Sequence, residues 1–465
     1  MLLRVTLYLL VFDFINTYLG WERVSRYYSI FGMFSASAGT FSGLLLFYCI
    51  PMSFTKTLLY NALRKSERIF KTDMVYAVRG GFWLLLGQIS TSFISFGLAV
   101  AFAHLISQET YGTYRYILSF VGIIMSFSLS GLSPALTRAT ARGHDGTLMQ
   151  AFKMTASWGI LLSGILASLS LYYALNQNTT LATGLFIAAL TAPLIDAFEL
   201  ATSFLNGKKL YKLISGLGII RSVLSSSFLL FCLFFYKHLL FLLLAYFISN
   251  LLVMGFVFYY SQTRLVKNKT IDAEAARLGK HTSVINTFAA IADRIDNILL
   301  FHYFGPVQLA IYNFSLLIPS NILSLIKNIG TLATPKLVLS DKEVAKKTLL
   351  LKSTSLLILT VPLALLYIFS APYLFKIFFP QYIEAVIYSQ VFAITILMSG
   401  ALPIALFDAH VALRAKYTLS VISNTVKITF IFIGIYFFGI WGAIIARILS
   451  KSVGLFTAYI LVRKI

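Results

Sequence analysis

The chain has 465 residues, of which 58% are hydrophobic and only 12% charged, a balance that excludes a water-soluble globular protein. Apolar runs of about 20 residues recur along its length, the signature of membrane-spanning helices and not of the short alternating strands of a membrane barrel. The formal net charge of +22 is scattered through short loops with no long basic patch, so a topogenic loop bias accounts for it and nucleic acid is not a partner. Cys49 and Cys232 lie in separate apolar runs, which leaves neither a disulfide framework nor a metal motif.

Residues 1–54 hold two apolar runs, roughly 5–20 and 29–51. Asp13 and Asn16 interrupt the first, making it a poor signal-peptide core, and the pair reads as an extra helical hairpin. The alternative is one spanning helix followed by an interfacial one. Residues 55–79 are basic and amphipathic: Leu59, Leu63, Ile69 and Phe70 alternate with Lys65, Arg68 and Lys71, as in a helix lying on the cytoplasmic surface.

From Gly80 onward, window length predicts about twelve spans: 80–105, 114–136, 152–175, 181–205, 213–236, 238–260, 282–303, 308–330, 349–371, 384–407, 417–437 and 439–462. One alternate set of loops holds Arg138, Arg142, Lys208, Lys209, Lys212, Arg264, Lys267, Lys269, Lys342, Lys346, Arg414 and Lys416, and the other set is nearly bare. The positive-inside rule makes the basic set cytoplasmic, together with the C-terminus. The polar stretch 261–281 falls halfway and is the natural linker between a first lobe, 80–260, and a second, 282–465. No outer loop is large enough to fold as a domain.

The run Ser283–Tyr303 carries Asp293, Arg294 and Asp296 in its middle and breaks at Gly305-Pro306. Charge at that depth is costly, so it faces a protein interior or a wet cavity. The same hairpin pattern occurs earlier: with Tyr114 laid on Tyr312, His104 falls on His302 and Leu118 on Leu316, the weak internal repetition of two-lobed transporters. Arg221, Lys427, Arg447 and Lys451 also lie near mid-span, and Asp196 and Glu199 offer carboxylates three apart on the fourth span. Arg79, Lys327 and Lys336 lie near inner helix ends, within snorkelling reach of the surface.

Two readings of these charges stand side by side. In one, they neutralise each other in structural ion pairs. In the other, Arg294, Arg221, Lys427, Arg447, Lys451 and Arg79 line a cationic cavity for a phosphate-bearing substrate. Asp293, Asp296, Asp196 and Glu199 then modulate that charge or take up H⁺ or Na⁺. Asp293 and Arg294 point about 100° apart on a helix, so they cannot share one target.

Several short elements carry a resemblance: Gly80-Gly81-Phe82-Trp83, Glu109-Thr110-Tyr111-Gly112-Thr113-Tyr114, Gly131-Leu132-Ser133-Pro134 with Arg138, Leu205-Asn206-Gly207-Lys208-Lys209, and Ala292-Asp293-Arg294 followed by Gly305 and Tyr312. In order and spacing they resemble the Wzx-type polysaccharide-export flippases of the MOP (multidrug/oligosaccharidyl-lipid/polysaccharide) superfamily over roughly residues 60–465; residues 1–54 fall outside the pattern. The resemblance implies an all-α polytopic membrane protein with two six-helix lobes in a V, set in the bacterial inner membrane. It further implies an undecaprenyl-pyrophosphate-linked glycan such as an O-antigen unit as substrate, alternating exposure of a cationic cavity, and polysaccharide polymerase or export proteins as neighbours.

Other transporters of the superfamily, a lipid II flippase or a cation-coupled drug exporter, are the alternatives, and many mid-membrane cations favour an anionic substrate over a cationic drug. A membrane glycan polymerase or ligase would need a sizeable catalytic outer loop, and no catalytic residues are expected. The phosphate-binding motif G-x-x-x-x-G-K-[ST] is absent, which argues against direct ATP drive and leaves no cofactor beyond a coupling ion.

Overall fold

A computed structural model describes the backbone of residues 74–339, 342–398, 407 and 413–464, and side chains chiefly within 82–326, 360–398 and 414–462. The hairpin read over residues 1–54, most of the amphipathic segment, and the side chains of Arg79, Lys327 and Lys336 lie outside the described residues. The described fold is helical throughout, with no strand among those residues. Its elements are α1 (Met74–Leu105), α2 (Gln108–Ser126), α3 (Leu132–Ala141), α4 (Thr147–Leu175), α5 (Thr179–Gly207), α6 (Tyr211–Phe235) and α7 (Leu239–Tyr260). They are followed by α8 (Ala273–Leu339), α9 (Lys342–Phe378), α10 (Ala385–Phe392) and α11 (Leu413–Lys464).

Eight of the described helices are long and apolar enough to cross a membrane. Two of these are hairpins in their own right. Helix α8 turns at Gly305 (φ 81°, ψ 179°) and α11 at Gly439 (φ 56°, ψ −128°), backbone conformations that side chains resist and glycine accepts. The chain is thus an all-α polytopic membrane protein.

Three boundaries differ from those read in the sequence. Helix α1 already begins at Met74, inside the stretch read as a surface helix. The span expected over 114–136 is two helices: α2 stops at Ser126, residues 127–131 turn, and α3 restarts at Leu132 with Pro134 in its first turn. The turn is stabilised by the Ser126 carbonyl, which leaves the helix ladder and accepts from the Thr287 hydroxyl at 2.5 Å. The polar linker is also shorter than its composition suggests, because α8 starts at Ala273.

What remains of the linker is docked, not free. Asp145, fully buried at the turn before α4, pairs with Lys208 Nζ at 2.6 Å and accepts the Lys267 backbone N–H at 2.9 Å. The Asn268 side chain bonds that turn twice, accepting from the Asp145 N–H (3.1 Å) and donating to the Gly143 carbonyl (2.8 Å). Thr147 Oγ1 accepts the Asp272 N–H at 3.0 Å.

The organising contact is an antiparallel seam in which α2 and α3 run along α8. Water drives little helix association inside lipid, so close backbone approach through small residues does the work. At the end bearing the basic loops, Gly131 lies against Gly279, where an added Cβ would sit 2.2 Å from the Gly279 carbonyl oxygen. Next come the Ser126–Thr287 bond, then Ser119 accepting from Asn297 Nδ2 at 2.7 Å, then stacked rings of Tyr116 and Phe301 at 3.9 Å. At the opposite, bare end, a Cβ on Gly112 would sit 1.9 Å from the Pro306 carbonyl oxygen. There Tyr111, Phe314, Phe379 and Tyr382 form a buried aromatic cluster, with Phe314 stacked on Tyr382 at 3.8 Å.

Candidate functional site

Charged side chains gather around the middle of the first arm of α8. Asp296 is fully buried, and its carboxylate accepts from Arg447 Nε at 2.5 Å, from the Tyr312 hydroxyl and from the Asn297 N–H at 2.9 Å, with Arg447 Nη2 also at 2.5 Å as an ion-pair contact. Arg447 also donates to the Asp293 carbonyl at 3.0 Å and lies 5.9 Å from the centre of the Tyr312 ring. One turn along, Lys427 Nζ meets Asp293 Oδ1 at 2.5 Å. The two pairs differ in setting: the Asp293 side chain is 67% exposed, whereas that of Asp296 is sealed.

The fold of α11 makes this meeting possible. Its two arms cross where Gly434 and Gly442 touch backbone to backbone, so Lys427 on one arm and Arg447 on the other both reach α8. Lys451 lies one turn beyond Arg447, 5.1 Å from the Phe392 ring centre.

Arg294 points elsewhere. Its side chain crosses the seam and lies over Gly122 of α2, where an added Cβ would be 2.5 Å from Nε and 2.9 Å from Cδ. Its hydrogen bond is to the Ala290 carbonyl of its own helix at 3.4 Å, and among the described residues it joins no carboxylate. Arg115, on the same face of α2 two turns toward the bare end, is likewise half-buried without a carboxylate among the described residues. Its Nε donates to Asn313 Oδ1 at 3.0 Å, Asn313 donates to Asn297 at 3.3 Å, and Asn297 donates to Ser119. This polar chain crosses the seam without any negative charge.

Arg221 does not join this cluster. It lies on α6, tied to Asn250 Oδ1 of α7 at 2.8 Å and to Glu199 of α5 at 3.5 Å. Asp196, half-buried on α5, makes no ion pair among the described residues. Arg294 therefore does not close a pair with either Asp196 or Glu199 of α5. His104 and His302 are exposed near the bare end, where His104 lines an open depression of about 520 Å³ with Glu109, Val307 and Gln381, far from the buried charges. Among the described residues no cluster of His, Cys, Asp and Glu is arranged to hold a metal.

A family model described as "Polysaccharide biosynthesis protein" matches residues 77–337, nearly all of the stretch from α1 through α8 with its charges. The chain belongs to the polysaccharide biosynthesis protein family. Solved structures add the fold of this family member. A multidrug resistance MATE family transporter of the MOP superfamily in an inward-facing conformation aligns over 82% of this chain and 97% of its own (TM-score 0.65, 12% identity). An outward-facing one aligns over 84% and 94% (TM-score 0.63, 13%). A MOP superfamily transporter from Pyrococcus furiosus, whose binding pocket is described as of reverse polarity, aligns over 84% and 95% (TM-score 0.62, 13%). None of the curated proteins matches the chain in sequence.

Arg115, Asn297, Asn313 and Tyr312 were not singled out in the sequence as site residues. A signal for one pair was present. The offset that lays Tyr114 on Tyr312 also lays Arg115 on Asn313, and in this polysaccharide biosynthesis family member those two side chains bond to each other, 198 residues apart. Repeat-related residues that touch lie at the axis relating the two hairpins.

Proposed function

We propose that this protein flips a polyprenyl-pyrophosphate-linked oligosaccharide, of the undecaprenyl class, from the cytoplasmic to the outer leaflet of a bacterial inner membrane. The lobes 80–260 and 282–465 rock about the α2–α8 seam, and the basic loops and C-terminus face the cytoplasm. The observation that carries the reading is an uneven charge balance. Lys427, Arg447 and Arg221 each have a carboxylate, while Arg294 and Arg115, one from each lobe, share the seam with none among the described residues. A half-buried guanidinium with no ion pair among the described residues offers a planar fork of N–H donors that two phosphate oxygens can accept bidentately. Membership in a polysaccharide biosynthesis family supports a glycan carrier as the source of that phosphate. A cationic drug would meet the same two arginines and be repelled.

Arg294 holds the phosphate end, and Asp293 with Lys427 sets the local charge at the exposed rim. Asp196 takes the coupling H⁺ or Na⁺, since it is half-buried without a cation of its own among the described residues. A transport assay normalised to folded protein tests this. Arg294→Ala should nearly abolish flipping, and Arg294→Lys, which keeps the charge but loses the fork, should reduce it in part. If Arg294→Ala lowers the amount of folded protein but leaves flipping per molecule intact, Arg294 is structural and the phosphate is held elsewhere.

A further inference from the structure

Glycine inside a helix is unfavourable relative to alanine, so its presence near the C-terminal end of α2 calls for a physical reason. At Gly122 the atoms nearest an added Cβ belong to a side chain and not to backbone. What an added Cβ would strike is the Arg294 side chain, at Nε (2.5 Å), Cδ (2.9 Å) and Cζ (3.2 Å). The other seam glycines differ: Gly112 faces the Pro306 carbonyl, and Gly131 the Gly279 carbonyl and the Thr282 hydroxyl. Those two set how closely the helices approach. At 122 the missing side chain instead leaves a notch filled by the guanidinium stem of the opposite lobe.

We infer that Gly122 is a positioning residue for Arg294: it fixes where the second lobe's guanidinium lies along the first lobe's helix, and hence where a phosphate-bearing ligand is held across the seam. The inference rests on the reading of Arg294 as a phosphate contact. The chemistry follows from geometry. The stem lies against α2 at Gly122, so its direction is set by that contact and not by a carboxylate; among the described residues its hydrogen bond is the 3.4 Å one to the Ala290 carbonyl of its own helix. Arg115 lies on the same face of α2, two turns from the notch, so the guanidinium at the notch and that of Arg115 line one stripe. A methyl group at 122 pushes the Arg294 stem off this line. A side-chain terminus gives way more readily than a backbone, so the helices themselves stay in place.

The test uses purified full-length protein in detergent and farnesyl pyrophosphate as probe, titrated by calorimetry, with farnesol as the control for the tail. Four proteins are compared: wild type, Gly122→Ala, Arg294→Ala and the double variant. Arg294→Ala should weaken the pyrophosphate probe by about tenfold or more, and Gly122→Ala by roughly fivefold, with the thermal midpoint unchanged or raised. The double variant should bind within about twofold of Arg294→Ala, because a positioning residue has no effect once the residue it positions is gone. Equal losses from Gly122→Ala in both backgrounds would show a packing role and overturn the inference. So would an unchanged affinity in Gly122→Ala beside a weakened Arg294→Ala. If Arg294→Ala alone leaves the probe bound as before, the phosphate reading itself fails, and that single variant identifies the failure.

Discussion

The buried pair Asp296–Arg447 should be a structural element whose loss is felt in folding before function. Asp296 has no exposed surface, and its carboxylate forms an ion pair with Arg447 while accepting from its Nε–H, a tyrosine hydroxyl and a backbone N–H. Removing one partner of such a pair leaves an uncompensated buried charge, at a cost of about 3–5 kcal/mol. Arg447 keeps the Asp293 carbonyl at 3.0 Å and the Tyr312 ring, and its side chain is 18% exposed. The lower end of the range, about 3 kcal/mol, therefore applies to Asp296→Ala. Arg447→Met should cost at least as much, because it strands a sealed carboxylate. The double variant Asp296→Ala/Arg447→Met should recover about 2 kcal/mol relative to the sum of the singles. Reversible unfolding in mixed micelles, followed by tryptophan fluorescence, measures all three. Losses that add to within about 0.5 kcal/mol would show that the two groups are energetically independent and would refute the reasoning.

Gly112→Ala should part the seam at its bare end, where the new methyl meets the Pro306 carbonyl, and lower stability by about 1–3 kcal/mol in the same assay. Asp145→Ala should free the linker from Lys208 and from the Lys267 N–H, and limited proteolysis should cut residues 266–272 faster than in the unmodified chain. A cysteine in place of the exposed Arg264 should react with an impermeant thiol reagent only after the cells are opened; labelling of intact cells would reverse the orientation of the whole chain.

Span length and loop charge are strong signals because lipid imposes both, and they made the helical architecture legible from composition alone. The break between α2 and α3 was not legible. Residues 119–132 are apolar or small and read as one span, and the bond that the Ser126 carbonyl accepts from Thr287, more than 150 positions later, has no mark in the local sequence. Depth likewise marked Asp293, Arg294 and Asp296, since charge in the middle of an apolar run is visible without a structure. Their partners were not visible. Helical geometry separates Asp293 from Arg294 but does not say that Lys427 meets the first and Gly122 the second, because those contacts depend on how α11 folds at Gly439 and how α2 crosses α8. Arg115 escaped notice since it sits close to a helix end, where a cation reads as an ordinary anchor.

The docked linker has a consequence for how the chain is made. The turn at Gly143–Thr147 is completed by Lys267, Asn268 and Asp272, which follow it by more than 120 residues. During synthesis Asp145 emerges well before the Lys267 N–H that it accepts has left the ribosome. The turn before α4 is completed only when residues 267–272 emerge. A gene divided for expression as two polypeptides would accordingly be cut after residue 272, so that the linker stays with the half it completes.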